Sequence, residues 1–307
     1  MASDATSTAP EGLPRRGVLR ASSTFAWRRP EAKALAQLGL PLAAFLFVYV
    51  AALVALLVSA FWTIDEFTSE IVRDWGFDNF RTLWDDPTYR RIVLRTVGIA
   101  TAVTVTCIVL AFPYALFLVR VASPRLRVLL LVATVVPLWV SYLVRVYSWR
   151  LILNPDGALN WVLTGIGLPG QNILYTNWAM WLVYSYIWLP FMVLPIYAAL
   201  ERVPGSYLEA SADLGAKGLT TLRRVVFPLA IPGIAAGSIF TFSLTLGDYI
   251  APGLVGGPGS QLIGNVIFAN VGIANNVPFA AAFATVPLVI MVVYIAIMRR
   301  LGAFENL

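Results

Sequence analysis

The sequence predicts an all-α polytopic membrane protein with six transmembrane helices and both termini in the cytoplasm. Three observations predict it. Of 307 residues, 59% are hydrophobic and 12% charged, whereas soluble domains carry about 25% charged residues. Six stretches are apolar enough to cross a bilayer, which takes roughly 20 residues each. Finally, Lys and Arg are distributed unevenly over the segments between those stretches.

The N-terminal segment 1–33 is polar and carries Arg15, Arg16, Arg20, Arg28, Arg29 and Lys33. It reads as a disordered cytoplasmic tail, which leaves 34–307 as the transmembrane domain. PRRGVLR faintly suggests a twin-arginine signal, but FAWRRPEAK separates it from an apolar run far longer than a signal core of roughly 7–15 residues. Span one lies near Gly39–Trp62, inside an uncharged run from Ala34 to Ile64. Thr96–Val119 gives span two, and Val128–Val144, extending to Trp149, gives span three. GIGLPGQN marks a loop before span four at Trp178–Leu200. Span five is Val225–Gly247. The uncharged run Tyr249–Met298 is too long for one helix and is broken by APGLVGGPGS, so span six is Phe279–Met298.

With the N-terminus inside, the cytoplasmic segments hold six basic residues in the tail, three after span two, four after span four and two after span six. These are 15 of the 22 Lys and Arg, as the positive-inside rule requires. The outer segment 65–95 carries seven acids. The net charge of +6 therefore points to the inner membrane surface and not to nucleic acid. Cys107 is the single cysteine, so no disulfide forms within the chain, and with no histidine a metal site loses its commonest ligand. No H-E-x-x-H or G-x-S-x-G occurs, which removes the membrane-enzyme reading.

Segment 201–228, on the cytoplasmic side, is the most informative. Pro204-Gly205 ends span four, and Ser206-x-x-Glu209 has the capping-box spacing. A short helix over Leu208–Leu214 then stops at Gly215. Leu219, Leu222, Val225 and Val226 have helical period, so a second helix runs into Pro228 and span five. Small side chains at Ala210, Ser211 and Ala212 let another backbone approach closely.

Glu209-Ala210-Ser211, three residues, Gly215, nine residues, then Val225-Val226-Phe227-Pro228 resembles the EAA loop of bacterial ABC-importer permease subunits. That family's pattern is Glu-Ala-Ala, three residues, Gly, nine residues, Ile-x-Leu-Pro. NFRTLW, PLWVSYLVRVYSW, PFMVLPIYAAL, PGIAAG and GDYIAPGLVGG extend the likeness from about residue 79 to the C-terminus, toward the spermidine/putrescine-type branch. The resemblance implies the type I importer permease fold in a bacterial inner membrane. It implies a coupling helix in which Glu209, Ala210, Ser211, Asp213, Gly215 and Pro228 meet or shape the contact with a cytoplasmic ATPase dimer. It also implies a second homologous permease and an extracytoplasmic solute-binding protein. The chain holds no G-x-x-x-x-G-K-[ST], so it binds no nucleotide cofactor itself and ATP with Mg belongs to the partner ATPase.

Ionisable groups at membrane depth are functional candidates by default. Asp248 ends span five ahead of a Gly/Pro-rich segment, and with Tyr249 it suits a cationic amine; otherwise it is an interfacial carboxylate facing water. Trp188, near the middle of span four, either lines an amine pathway or packs. Arg145 either snorkels to the interface or pairs with an acidic neighbour. Gly233-x-x-x-Gly237 is a close-contact pattern whose partner the sequence leaves open. The expected solute is a small cation, with a polyamine favoured by the resemblance; an amino-acid derivative or organic anion is the alternative within the branch. An ion-coupled secondary transporter is a third reading, opposed by the absence of paired broken segments in an inverted repeat.

Overall fold

The computed structural model describes residues 30–65, 68 and 70–300, with side chains from Leu38 onward except Leu40. Most of the expected tail, residues 1–29, lies outside the described residues, and Pro30–Lys33 already belong to the first helix. The chain divides into two units between Leu56 and Leu57. Helix α1 (Pro30–Ser59) carries an apolar stretch from Pro41 onward, and within the first unit Phe45 stacks on Tyr49 one turn later at 6.1 Å.

The second unit opens with a two-residue antiparallel pair, Thr63–Ile64 against Ile71–Val72, followed by α2 (Asp78–Asp85). The Asn79 amide donates to the carbonyls of Ala60 and Trp62 at 2.9 and 2.8 Å. The Asp86 carboxylate accepts the Thr88 backbone N–H at 2.7 Å, which holds its pKa below the usual value. Asp86 caps α3 (Pro87–Arg120), and Pro87 takes the first helical position, where its missing N–H costs nothing. At 34 residues, about 51 Å, α3 is longer than a bilayer core, and its first turns extend nine residues ahead of the span expected from hydropathy.

Span three differs most from expectation. It is a bent pair, α4 (Pro124–Val135) with a 3₁₀ turn at Val136–Trp139, then α5 (Tyr142–Ile152) turned by 97°. Pro137 lacks an N–H and tightens the chain into the 3₁₀ turn, and Val140 is extended. A short helix α6 (Ala158–Gly165) follows. The Asn160 side chain closes the next loop through Pro155 O, Gln171 O and Gln171 N–H at 2.9, 3.0 and 2.7 Å.

Helix α7 (Asn177–Glu201) is the centre of the bundle, burying Tyr184, Ile187, Met192 and Ile196 completely against α3 and α10 (Phe227–Gly247). Gly233 and Gly237 find their partner here. A Cβ on Gly233 would stand 2.7 Å from the Ala199 Cβ, and one on Gly237 would stand 3.0 Å from the Met192 Cα. Between α7 and α10 lie α8 (Gly205–Asp213), α9 (Gly218–Thr221) and a π turn at Leu222–Val226. After α10 come a π turn at Pro252–Gly256, α11 (Ile263–Gly272), too short to span, and α12 (Val277–Arg300). Among the described residues, five helices are long and apolar enough to cross a membrane, and the bent pair makes six.

Candidate functional site

Two regions hold the candidate residues. The first is the loop of α8 and α9. Pro204, extended at ψ 145, forces the helix to begin at Gly205, earlier than expected, so Ser206 lies inside α8 instead of capping it. The expected Ser206–Glu209 capping box does not form. Gly215 does stop the helix: its φ of 75° is a left-handed conformation, its N–H donates to Ala212 O at 2.8 Å, and the Ala216 N–H donates to Ser211 O at 3.1 Å. These two bonds make a Schellman cap, which consumes carbonyls that the helix end would leave open. Pro228, without an N–H and crowding the carbonyl four residues back, is the second residue of α10, just past the widened π turn that joins α9 to α10.

The base of the loop is fixed. Arg120 Nη2, at the end of α3, donates to Val203 O at 3.0 Å, and Leu208 and Leu222 pack on the main core. Ser211 is buried, and its hydroxyl shares a 2.8 Å hydrogen bond with Thr221, clamping α8 to α9. The expectation that Ser211 faces an incoming partner is therefore corrected: its side chain works inside the loop. Glu209, Ala210 and Asp213 do lie on the exposed face, as does Gly215. They share it with Leu214, 89% exposed, and Leu219, at 77%. Leu214 was not singled out from sequence, although an apolar residue beside a helix-stop glycine in a charged loop was a usable signal.

The second region joins the far end of α10 to α5 and α7. Asp248 ends α10 in extended conformation and caps the next turn, accepting the Ile250 and Ala251 N–H groups at 3.0 and 3.2 Å. The Tyr142 hydroxyl donates to the same carboxylate. Tyr142 stacks on Trp188 at 5.7 Å between centroids, and Trp188 stacks on Tyr184 at 6.3 Å, giving a run of three near-parallel rings. Trp188 is 7% exposed. The Arg145 guanidinium, one turn along α5 from Tyr142, lies over the Tyr142 ring at 5.8 Å. Its Nε and Nη1 are buried without a hydrogen-bond partner, so of the two alternatives for it the acidic pairing is not made among the described residues. Asp248 and Trp188 are thus brought together through Tyr142, a residue that sequence reasoning missed. Tyr249 is not part of this group: its ring stacks on Phe268 at 4.5 Å, and its carbonyl accepts the Asn265 amide at 2.7 Å.

Helices long and apolar enough to cross a membrane, with an exposed two-helix loop at one end of α10 and a charged aromatic cluster at its other end, define a multi-span membrane protein. More particularly, the chain belongs to the family of binding-protein-dependent transport system inner membrane components, whose pattern it matches over residues 107–304. It is 45% identical to the inner membrane ABC transporter permease protein YdcU of Escherichia coli (strain K12), over 96% of this chain and 97% of that protein. It is 34% identical to the spermidine/putrescine transport system permease protein PotB of the same strain, over 75% of this chain and 83% of that one. Its fold also matches a chain of a bacterial alginate ABC transporter solved with an alginate pentasaccharide-bound periplasmic protein. That match has a TM-score of 0.72 at 19% identity and covers 92% of this chain and 96% of that one. The protein is a multi-pass permease subunit of an ABC importer in the bacterial inner membrane, and a non-catalytic one.

Proposed function

We propose that this permease moves a small organic amine into the cytoplasm, with spermidine and putrescine as reference solutes. The observation that carries the reading is the Asp248 carboxylate, held at the end of a span by three donors beside a buried run of aromatic rings. A fixed anion next to ring faces stabilises an ammonium by charge and by cation–π attraction, together about 1–2 kcal/mol or more where water is excluded. The likeness to PotB, named for spermidine and putrescine, supports the same class.

In this reading the exposed face of α8 is the coupling helix, docking in a cytoplasmic ATPase dimer through Glu209, Ala210, Asp213 and Leu214. Gly215 and Pro228 set its geometry. ATP and Mg act on that dimer. A second permease of the same family completes the pathway, an extracytoplasmic binding protein delivers the solute, and both chain ends face the cytoplasm, as the basic residues favour. Two-state contacts with the ATPase would shift the spans between outward and inward access.

The test is uptake of labelled spermidine and putrescine by cells with and without the gene, challenged with unlabelled diamines, amino acids and organic anions. Gene-dependent uptake that only amines compete for is expected, and Asp248→Asn should lower it about tenfold with normal membrane insertion. Deletion without effect, in cells lacking another amine importer, refutes the reading.

A further inference from the structure

The unmatched polar atoms around Tyr142 are mostly hydrogen-bond donors. Nε and Nη1 of Arg145 and Nε1 of Trp188 are buried with no partner. The acceptor nearby, Asp248, already takes three donors. Guanidinium and indole N–H groups can only donate, and so can a protonated amine. A diamine could add its ammonium to the Asp248 carboxylate, but it would leave the Arg145 and Trp188 donors as they are. Leaving buried donors unmatched is unfavourable, the more so when one is charged.

Arg145 also has room in front of it. A cavity of about 420 Å³ is lined by its side chain together with Tyr114, Thr134, Pro137, Leu189 and Val193. That volume is within the range of small-molecule sites. The cavity walls are otherwise largely apolar, and the Tyr114 hydroxyl is already engaged with Leu130 O and Thr134. A snorkelling arginine would carry its guanidinium out to water, whereas two of these three nitrogens are buried. The group that matches a buried guanidinium lacking acceptors is an oxyanion, which accepts charge-assisted N–H bonds.

We infer that Arg145 forms an oxyanion subsite on this cavity, and that the solute carries a carboxylate as well as the protonated amine read at Asp248. Both subsites meet one tyrosine: the guanidinium lies over the Tyr142 ring and the Asp248 carboxylate accepts from its hydroxyl. A straight-chain amino acid with its charges at opposite ends fits this arrangement. The inference rests on reading Asp248 as the amine subsite and narrows the solute class within it.

The test compares two solutes of equal length, 1,5-diaminopentane and 5-aminopentanoate, which differ only in whether the second end is an amine or a carboxylate. Initial uptake rates of both are measured in cells carrying the complete importer, with wild-type chain and with Arg145→Gln, at matched amounts in the membrane. The wild type should import 5-aminopentanoate, and Arg145→Gln should lower its rate relative to the diamine by about tenfold or more. An unchanged ratio overturns the inference, including the case in which both solutes are lost equally because Arg145 serves a lipid phosphate or an acidic side chain of the second subunit. Import of the diamine alone by the wild type overturns it too, while leaving the amine reading standing. Import of neither removes both. If Arg145→Gln does not accumulate, Arg145→Lys keeps the charge but loses the planar guanidinium; a fall in the ratio of about threefold is then expected, and no fall overturns the inference.

Discussion

In the 201–228 loop, polar groups are matched within the chain and apolar side chains face outward. Around Tyr142 the arrangement is reversed, with rings largely buried and nitrogens of Arg145 and Trp188 unmatched. The loop closes its helix end with backbone bonds at Gly215 and Ala216 and joins its two arms through Ser211 and Thr221, yet leaves Leu214 and Leu219 bare. The cluster stacks half-buried Tyr142 on buried Trp188 and Tyr184 but leaves nitrogens of Arg145 and Trp188 without acceptors. An exposed apolar face on a self-contained element suits a protein partner, because burial is what it lacks. Buried donors in a preformed pocket suit a small polar solute, because acceptors are what they lack.

The contrast breaks first at Leu214. Leu214→Asp replaces the most exposed apolar side chain of the loop by a charge, touching nothing inside the chain. Uptake and copurification of the ATPase should fall roughly 30-fold, as for a lost interface hot spot. Retention of the ATPase by this variant would show that the face is not the contact. Glu209→Ala comes next. Since no capping box holds Glu209, its removal should not disturb insertion, and uptake should drop about tenfold through the lost contact. Normal uptake by correctly inserted protein would relegate Glu209 to a solvated surface residue.

On the cluster side, Tyr142→Phe removes one of three donors to Asp248 and keeps the ring. Loss of a hydrogen bond to a charged group should destabilise the purified protein by about 1.5–3 kcal/mol, seen as a lower Tm, and raise the KM for amine uptake several-fold. An unchanged Tm would mean that the bond contributes nothing. Trp188→Phe separates packing from recognition. It keeps an aromatic ring but deletes a buried N–H with no partner, so Tm should hold or rise while uptake falls about threefold. A fall in both would make Trp188 a packing residue. The smallest effect is expected for Ser211→Ala, which leaves the Thr221 hydroxyl at the loop edge free to find water. A change of about 1 kcal/mol in stability and less than about twofold in uptake is expected; a larger loss of ATPase contact would put Ser211 back on the docking face.

The loop was legible in the sequence because its determinants are local. Gly215 and Pro228 act on their own backbone, and a pattern of twenty residues contains them. The cluster was only half legible. Asp248 and Trp188 stood out as polar or aromatic groups at membrane depth, but Tyr142 meets Asp248 across 106 positions, and no periodicity reports such a contact. Tyr249, adjacent to Asp248, was an easy inference and turned to Phe268 instead, because the chain leaves helical geometry at Asp248 and redirects the next side chain. The bend in span three was invisible for a related reason. Hydropathy reports whether residues tolerate lipid, not the direction of the axis, and Pro137 alone does not tell a mild kink from a turn of 97°.

The two glycines of α10 that lie against α7 have a mechanical consequence. From Gly218 through the π turn to Gly247 the chain is one rod of 30 residues, about 45 Å, with the loop at one end and Asp248 at the other. At Gly233 and Gly237 it lies so close to the neighbouring rod that not even a methyl group fits between them. Two bars clamped at mid-length without lubricant cannot slide freely. A push on one end of the first must be delivered to its far tip or shared with its neighbour, as stroke is carried through a linkage with little backlash.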